Sequence, residues 1–239
     1  YENGWREYEW RRKLIKESND KLSKEWSGQN LENKTLLVLD EGADGNLIHF
    51  IRFIRELKKE SCKVIVQCSE EAMSLIKNQK WIDRAITADE YPEHDFYIPI
   101  GSLMNVLKYN PNHHEQTFPY IEVDTDKISK DNTDQVSIGL VFETDKNSNA
   151  HDDESIEPGL FENIFTEEHN VICLDKYVTD KTLPGYCSKH ISYSNLEELS
   201  TAISNLDLII TVDHLVAHLA GALNIDTILM LPCVPNWRW

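Results

Sequence analysis

The stretch LDLIITVDHLVAHLAGAL, Leu206 to Leu223, decides how this chain folds. Leu208, Ile209, Ile210 and Val212 form an apolar, largely β-branched run that reads as a buried parallel strand. Asp213, a good N-cap type, stops the run, and an Ala/Leu-rich helical pattern follows at once. A strand feeding a helix through so short a turn places the helix's free N–H groups at the carboxyl edge of a sheet. Open α/β folds bind ligands at that edge, and helix N-termini favour anions such as pyrophosphate. His214 and His218 are four apart and share one face of the first two helical turns. The same pattern also suits an ordinary buried βα unit with two incidental histidines. The spacing is that of a zinc protease helix, but Leu215 stands where that motif needs glutamate, so no zinc protease is implied.

Composition narrows the function classes. A chain of 239 residues can bury one large core or two smaller ones. No apolar run reaches the roughly 18 residues of a membrane span. A net charge of −17 argues against nucleic acid, because nothing offsets repulsion from phosphates. Any anionic ligand must then be held locally, by backbone amides or a few placed cations. Five cysteines (62, 68, 173, 187, 233) are scattered, odd in number and without C-x-x-C spacing. They read as reduced core residues of a cytoplasmic protein, not a disulfide frame or a zinc site.

Working outward from the focal unit, strands alternate with helices along most of the chain. Residues 1–26 are helical in pattern, with Trp5, Tyr8 and Trp10 among charges, and suit packing across a neighbouring element. SGQNLENK, Ser27 to Lys34, reads as a linker. TLLVLD (35–40) is a buried strand, EGADGN (41–46) a tight loop, and Leu47–Lys59 an amphipathic helix. KVIVQC (63–68) is the next strand and Glu70–Lys77 a helix; AITA (85–88) and FYIPI (96–100) are short strands, and YIEV (120–123) an exit strand. KISKDNTDQ, Lys127 to Gln135, lacks apolar periodicity and marks a domain boundary. The alternation then restarts with VSIGLVF (136–142), an acidic loop (143–154), a helix near Ile156–Phe165, VICL (171–174), a helix over Leu196–Ser204, the focal unit, and TILML (227–231). βαβ units at this spacing mean parallel sheets. No repeat of fixed period is present. The expectation is an α/β chain: an N-terminal helical segment (1–30), then two Rossmann-like domains (31–130 and 131–239) facing a cleft that holds the ligand.

Other constellations carry less. EGADG is the one glycine-bearing βα turn of the first half, but it lacks G-x-G-x-x-G and any Walker pattern. Asp124-x-Asp126 could hold a cation, yet two acids so placed are expected by chance in so acidic a chain. His113–His114 and HDDE (151–154) read as solvated loops.

Together, KTLLVLDEGADGNLIHFIRFI, SIGLVF and LDLIITVDHLVAHLAGAL with LPCVPNWRW resemble the bacterial glycosyltransferase-like domain that follows tetratricopeptide repeats. That domain is related to the heptosyltransferases and the O-linked N-acetylglucosamine transferases. GWREYEWR resembles the helix that ends the repeat array. The resemblance implies a GT-B fold, with a sugar nucleotide held mainly by the second domain and an acceptor (protein, lipid or saccharide) by the first, and no required metal or cofactor. It places Asp213, His214 and Leu215 at the donor, His218 positioning it, Lys146 offsetting phosphate charge, and Gly45 and Asn46 on the acceptor side.

Two departures stand out. The family's E-Q-G-x-G-D loop ends in the aspartate that takes the acceptor's proton; here Asn46 holds that position and cannot act as a base, so Asp44 or Glu41 would have to substitute, with Asp44 the candidate. After the SIGLVF strand, where relatives are basic, this chain has Lys146 followed by Asp152, Asp153 and Glu154. Transfer of a sugar from a nucleotide diphosphate donor is therefore one reading. A GT-B-shaped binding or scaffold domain with impaired catalysis is the other.

Overall fold

The apolar runs pair as two separate sheets, every pairing parallel. The computed structural model describes residues 1–13, 21–58, 61–112, 117–128, 134–144 and 155–239. They divide into two compact units, Tyr1–Ile121 and Glu122–Trp239.

The first unit contains β1 (Lys24–Glu25), β2 (Thr35–Leu39), β3 (Lys63–Gln67), β4 (Arg84–Ile86) and β5 (Phe96–Pro99), in the order β1-β5-β2-β3-β4. Its helices are α1 (Glu2–Tyr8), α2 (Asp44–Ile51), α3 (Ile54–Leu57), α4 (Glu70–Lys77) and α5 (Leu103–Val106). Leu36, Leu37, Val38 and Leu39 are all buried, as expected of a parallel strand covered on both faces. Ser69 caps α4, its hydroxyl accepting from Ala72 N.

The second unit contains β6 (Val136–Val141), β7 (His169–Cys173), β8 (Lys189–His190), β9 (Leu208–Thr211) and β10 (Asp226–Leu229), in the order β10-β9-β6-β7-β8. α6 (Leu196–Ser204) is capped by Asn195, and α7 (Leu215–Leu223) ends on Asn224 in the left-handed region. Ile138, Leu140, Phe142, Phe161, Val171 and Cys173 form one core cluster of this unit. Side chains close tightly around Gly139, where an added Cβ would lie 2.6 Å from Ile209 Cδ1 and 2.7 Å from Leu206 Cδ1.

Several expectations are corrected. The 1–26 segment is not helical to its end: Lys24 and Glu25 extend and pair with Phe96 and Tyr97, and Trp26 N continues the ladder to Tyr97 O. Nor is 27–34 a free linker, since Trp26 and Leu31 are buried and Trp26 Nε1 donates to Gln29 O. The 47–59 helix breaks at Arg52–Phe53, where bonds from Phe53 N to Phe50 O and Glu56 N to Phe53 O tighten the winding. Residues 120–123 form no strand. Near 156–165 only a 3₁₀ turn forms, Pro158–Phe161, because Pro158 and Gly159 are poor helix residues. β8 escaped sequence reading because two polar residues give no apolar signal. Four cysteines are buried as expected, but Cys233 is exposed. No helix among the described residues is long and apolar enough to cross a membrane.

Candidate functional site

In chain order the second sheet reads third, second, first, fourth, fifth strand, the doubly wound arrangement. Its strand order reverses between β6 and β9, the position outside which doubly wound sheets have their ligand crevice. The loop after β9 is Val212–His214, three residues, not the immediate junction expected from sequence. The cap of α7 is His214, not Asp213: its Nδ1 accepts from Val216 N at 3.2 Å. Asp213 lies one residue too early for its carboxylate to serve a helix that begins at Leu215. An accepting Nδ1 requires the neutral ring to carry its proton on Nε2. Ala217 N is also taken, by His214 O at 3.0 Å. Leu215 N is a donor of this turn with no acceptor among the described residues, and Leu215 and Asp213 are both partly exposed. His218 is buried one turn on, its ring stacked on Trp239 with centroids 4.8 Å apart.

The β6 side of this crevice is built differently. Asp175, just past β7 and 2 % exposed, accepts from Phe142 N through Oδ2 and from Glu143 N through Oδ1, each at 3.1 Å. Burial pushes its carboxyl up to about 6, against the pull of those two amides and of neighbouring His214. Glu143 adds to the acidity, one of its carboxylate oxygens being buried without a partner. Ser155 Oγ accepts from Thr144 N, and Ile156 N donates to Phe142 O, which closes the base of the acidic loop. Lys146 and Asp152–Glu154 lie outside the described residues.

In the first unit the equivalent reversal falls between β2 and β5. Here Arg11, from the N-terminal segment, binds Glu41 in a two-point fork, Nε to Oε1 at 2.8 Å and Nη2 to Oε2 at 3.0 Å. Glu41 Oε2 also accepts from Gly101 N, and Ser102 Oγ joins Arg11 to Glu9. A Cβ on Gly101 would sit 2.6 Å from Glu41 Oε2, so only glycine admits this packing. Asp44, Gly45 and Asn46 form the half-buried first turn of α2. Asp44 Oδ1 accepts from Ser69 Oγ at 2.8 Å. Asp40, at the end of β2, differs: burial raises its carboxyl above the usual range, and Oδ1 is buried without a partner.

Sequence reasoning missed Arg11, Asp40 and Asp175 as site residues. A signal for the two acids was present, since VLD (38–40), CLD (173–175) and TVD (211–213) each end a buried run in aspartate. Only the third was singled out. Arg11 left no such mark, because its partner Glu41 is thirty residues away. His113, His114 and His151 fall outside the described residues. Asp124 accepts from Asp126 N in a local turn, and among the described residues no group of three or more His, Cys, Asp or Glu side chains is arranged to hold a metal ion.

No protein-family model and no curated protein matches the sequence. The fold does match solved structures. The iron-containing dodecameric glycosyltransferase TibC of enterotoxigenic E. coli superposes with a TM-score of 0.61 at 12 % identity, over 84 % of this chain and 59 % of TibC. TibC has also been solved in complex with ADP-D-β-D-heptose. A glycosyl transferase of family 9 from Veillonella parvula gives 0.62 at 11 % identity, over 85 % of this chain and 82 % of that one. E. coli heptosyltransferase WaaC, solved with ADP-2-deoxy-2-fluoro heptose, gives 0.59 at 10 % identity over 85 % and 90 %. At these identities the likeness is one of fold: two parallel-sheet α/β units of the GT-B kind. The chain spans about three-fifths of the length of TibC.

Proposed function

We propose that this chain is a glycosyltransferase-like domain that holds a nucleotide diphosphate sugar on its second unit and passes the sugar to an acceptor hydroxyl without a metal. The observation that carries the reading is the reversal between β6 and β9 with the α7 N-terminus beside it. It occurs in a fold shared with a heptosyltransferase that was solved with ADP-D-β-D-heptose. On this reading the diphosphate meets Leu215 N beside His214, Asp213 and His218 position the donor, and Lys146 offsets charge on the departing nucleotide. Gly45 and Asn46 border the acceptor. Asp44 or its neighbour Asp40 takes the acceptor's proton, and burial, which raises the Asp40 carboxyl, makes it a stronger base than an ordinary aspartate. The N-terminal segment then links the domain to a preceding repeat array.

A second reading, a GT-B-shaped binding domain without turnover, is favoured by two contacts. His214 takes the Val216 amide, and Arg11 clamps Glu41 at the corresponding edge of the first unit. Titration calorimetry with ADP-heptose and UDP-N-acetylglucosamine, followed by assay of nucleotide release, separates the two. Under the first reading one donor binds and turns over, and His218→Ala lowers release by about tenfold or more while His113→Ala leaves it unchanged. Binding with no release in the wild type and in Asp40→Asn and Asp44→Ala supports the second. Binding of neither donor removes both.

A further inference from the structure

We propose that Asp175 is a specificity-determining residue of the second unit: its buried carboxylate occupies the β6 side of the crevice and confines a bound diphosphate to the β9–α7 turn. The inference rests on the sugar-nucleotide reading above and adds where on the sheet edge the phosphates can lie. The amides at the end of β6 are the donors that a doubly wound sheet turns toward an anion at its reversal point. Here both are consumed, Phe142 N and Glu143 N, by one side chain of the same polypeptide. An ionised carboxylate accepts from two amides through its two oxygens with no competing donor; an asparagine would set its NH₂ against one of them. Asp175 has no lysine or arginine within ion-pair distance among the described residues, and with the His214 ring neutral its charge is met by the two amides. A second anion beside it meets uncompensated repulsion in a low dielectric.

The groups facing Asp175 are Glu143 from the end of β6, Cys173 from β7, Tyr186 and Cys187 from the segment before β8, His190 from β8, whose Nε2 donates to the Asp175 carbonyl, and His214 from the β9–α7 turn. Of these acids, Asp175 is held near 6. Repulsion therefore falls as pH drops through that value, and the donor binds more tightly.

The probe is ADP-glucose, whose pyrophosphate, esterified at both ends, keeps a constant charge between about pH 5 and 8, with UDP-glucose in parallel. Wild-type dissociation constants are measured across that range, together with those of Asp175→Asn and Glu143→Gln. Wild-type affinity is expected to weaken about tenfold from pH 5 to pH 8, and Asp175→Asn to bind about tenfold more tightly at pH 8 with a flattened profile. Glu143→Gln, which leaves both amide bonds to Asp175 in place, keeps the slope. A merely structural role predicts weaker binding in Asp175→Asn with the slope unchanged, which overturns the proposal. So does a flat wild-type profile, a result that needs no variant to fold. Failure of both sugar nucleotides to bind at any pH removes the sugar-nucleotide reading itself and this inference with it.

Discussion

Arg11 and Glu41 provide the sharpest quantitative test of the first unit. Their side chains are 16 % and 10 % exposed, and the fork is two-pointed at 2.8 and 3.0 Å. Arg11→Met leaves the Glu41 carboxylate with Gly101 N as its remaining donor, in a site that admits little water. Breaking a fully buried pair from one side costs about 3–5 kcal/mol, and the residual exposure here reduces that to about 2–3 kcal/mol. Glu41→Gln strands the guanidinium in turn, although Glu9 and Ser102 still accept from it, so its cost is about 1–2 kcal/mol. The double variant should cost less than the sum, with a coupling energy of about 1–2 kcal/mol. A domain stable by roughly 5–15 kcal/mol remains folded throughout. Urea unfolding followed by tryptophan fluorescence reads this unit well, since Trp5, Trp10, Trp26 and Trp81 lie in it. A coupling energy below about 0.5 kcal/mol would show that the pair behaves as a solvated surface contact and would refute the reasoning.

In the second unit, Gly139→Ala forces a methyl to within 2.9 Å of three side chains and should lower stability by about 1–3 kcal/mol. Gly221→Ala, inside α7 with open space around it, should instead add about 0.5–1 kcal/mol; urea midpoints for the pair decide whether close packing or backbone entropy governs these glycines. Burial pushes the thiols of Cys68 and Cys173 up to about 12 and that of Cys187 to about 11, while Cys233 is exposed. A disulfide reagent at pH 8 should therefore titrate one thiol quickly in the native protein and the others on the timescale of unfolding. Two fast thiols would contradict the burial.

Much of the architecture was legible from local pattern. Strands buried on both faces show as continuous apolar runs, and TLLVL, KVIVQ, VSIGLV and LIIT became β2, β3, β6 and β9 within a residue or so of their expected ends. Helices with a capping residue and an amphipathic face, α4 and α6, were equally clear. Short or polar pieces were not. β1 and β8, two residues each, exist because a neighbouring strand offers free hydrogen-bonding groups, a fact with no trace in their own composition.

The site divides along the same line. Sequence by itself determined that a turn near Asp213 lies at a sheet's carboxyl edge, because periodicity and order along the chain suffice to place a βα junction. Only the tertiary structure decided which groups occupy that edge. His214 caps α7 in place of Asp213, Asp175 crosses from β7 to hold the end of β6, and Arg11 reaches Glu41 across thirty residues. Each is a contact between side chain and backbone, or between side chains, fixed by strand order and loop length. A one-residue shift in where a helix starts, or the choice of neighbour in a sheet, reassigns a hydrogen bond without changing the apolar pattern that sequence reading relies on.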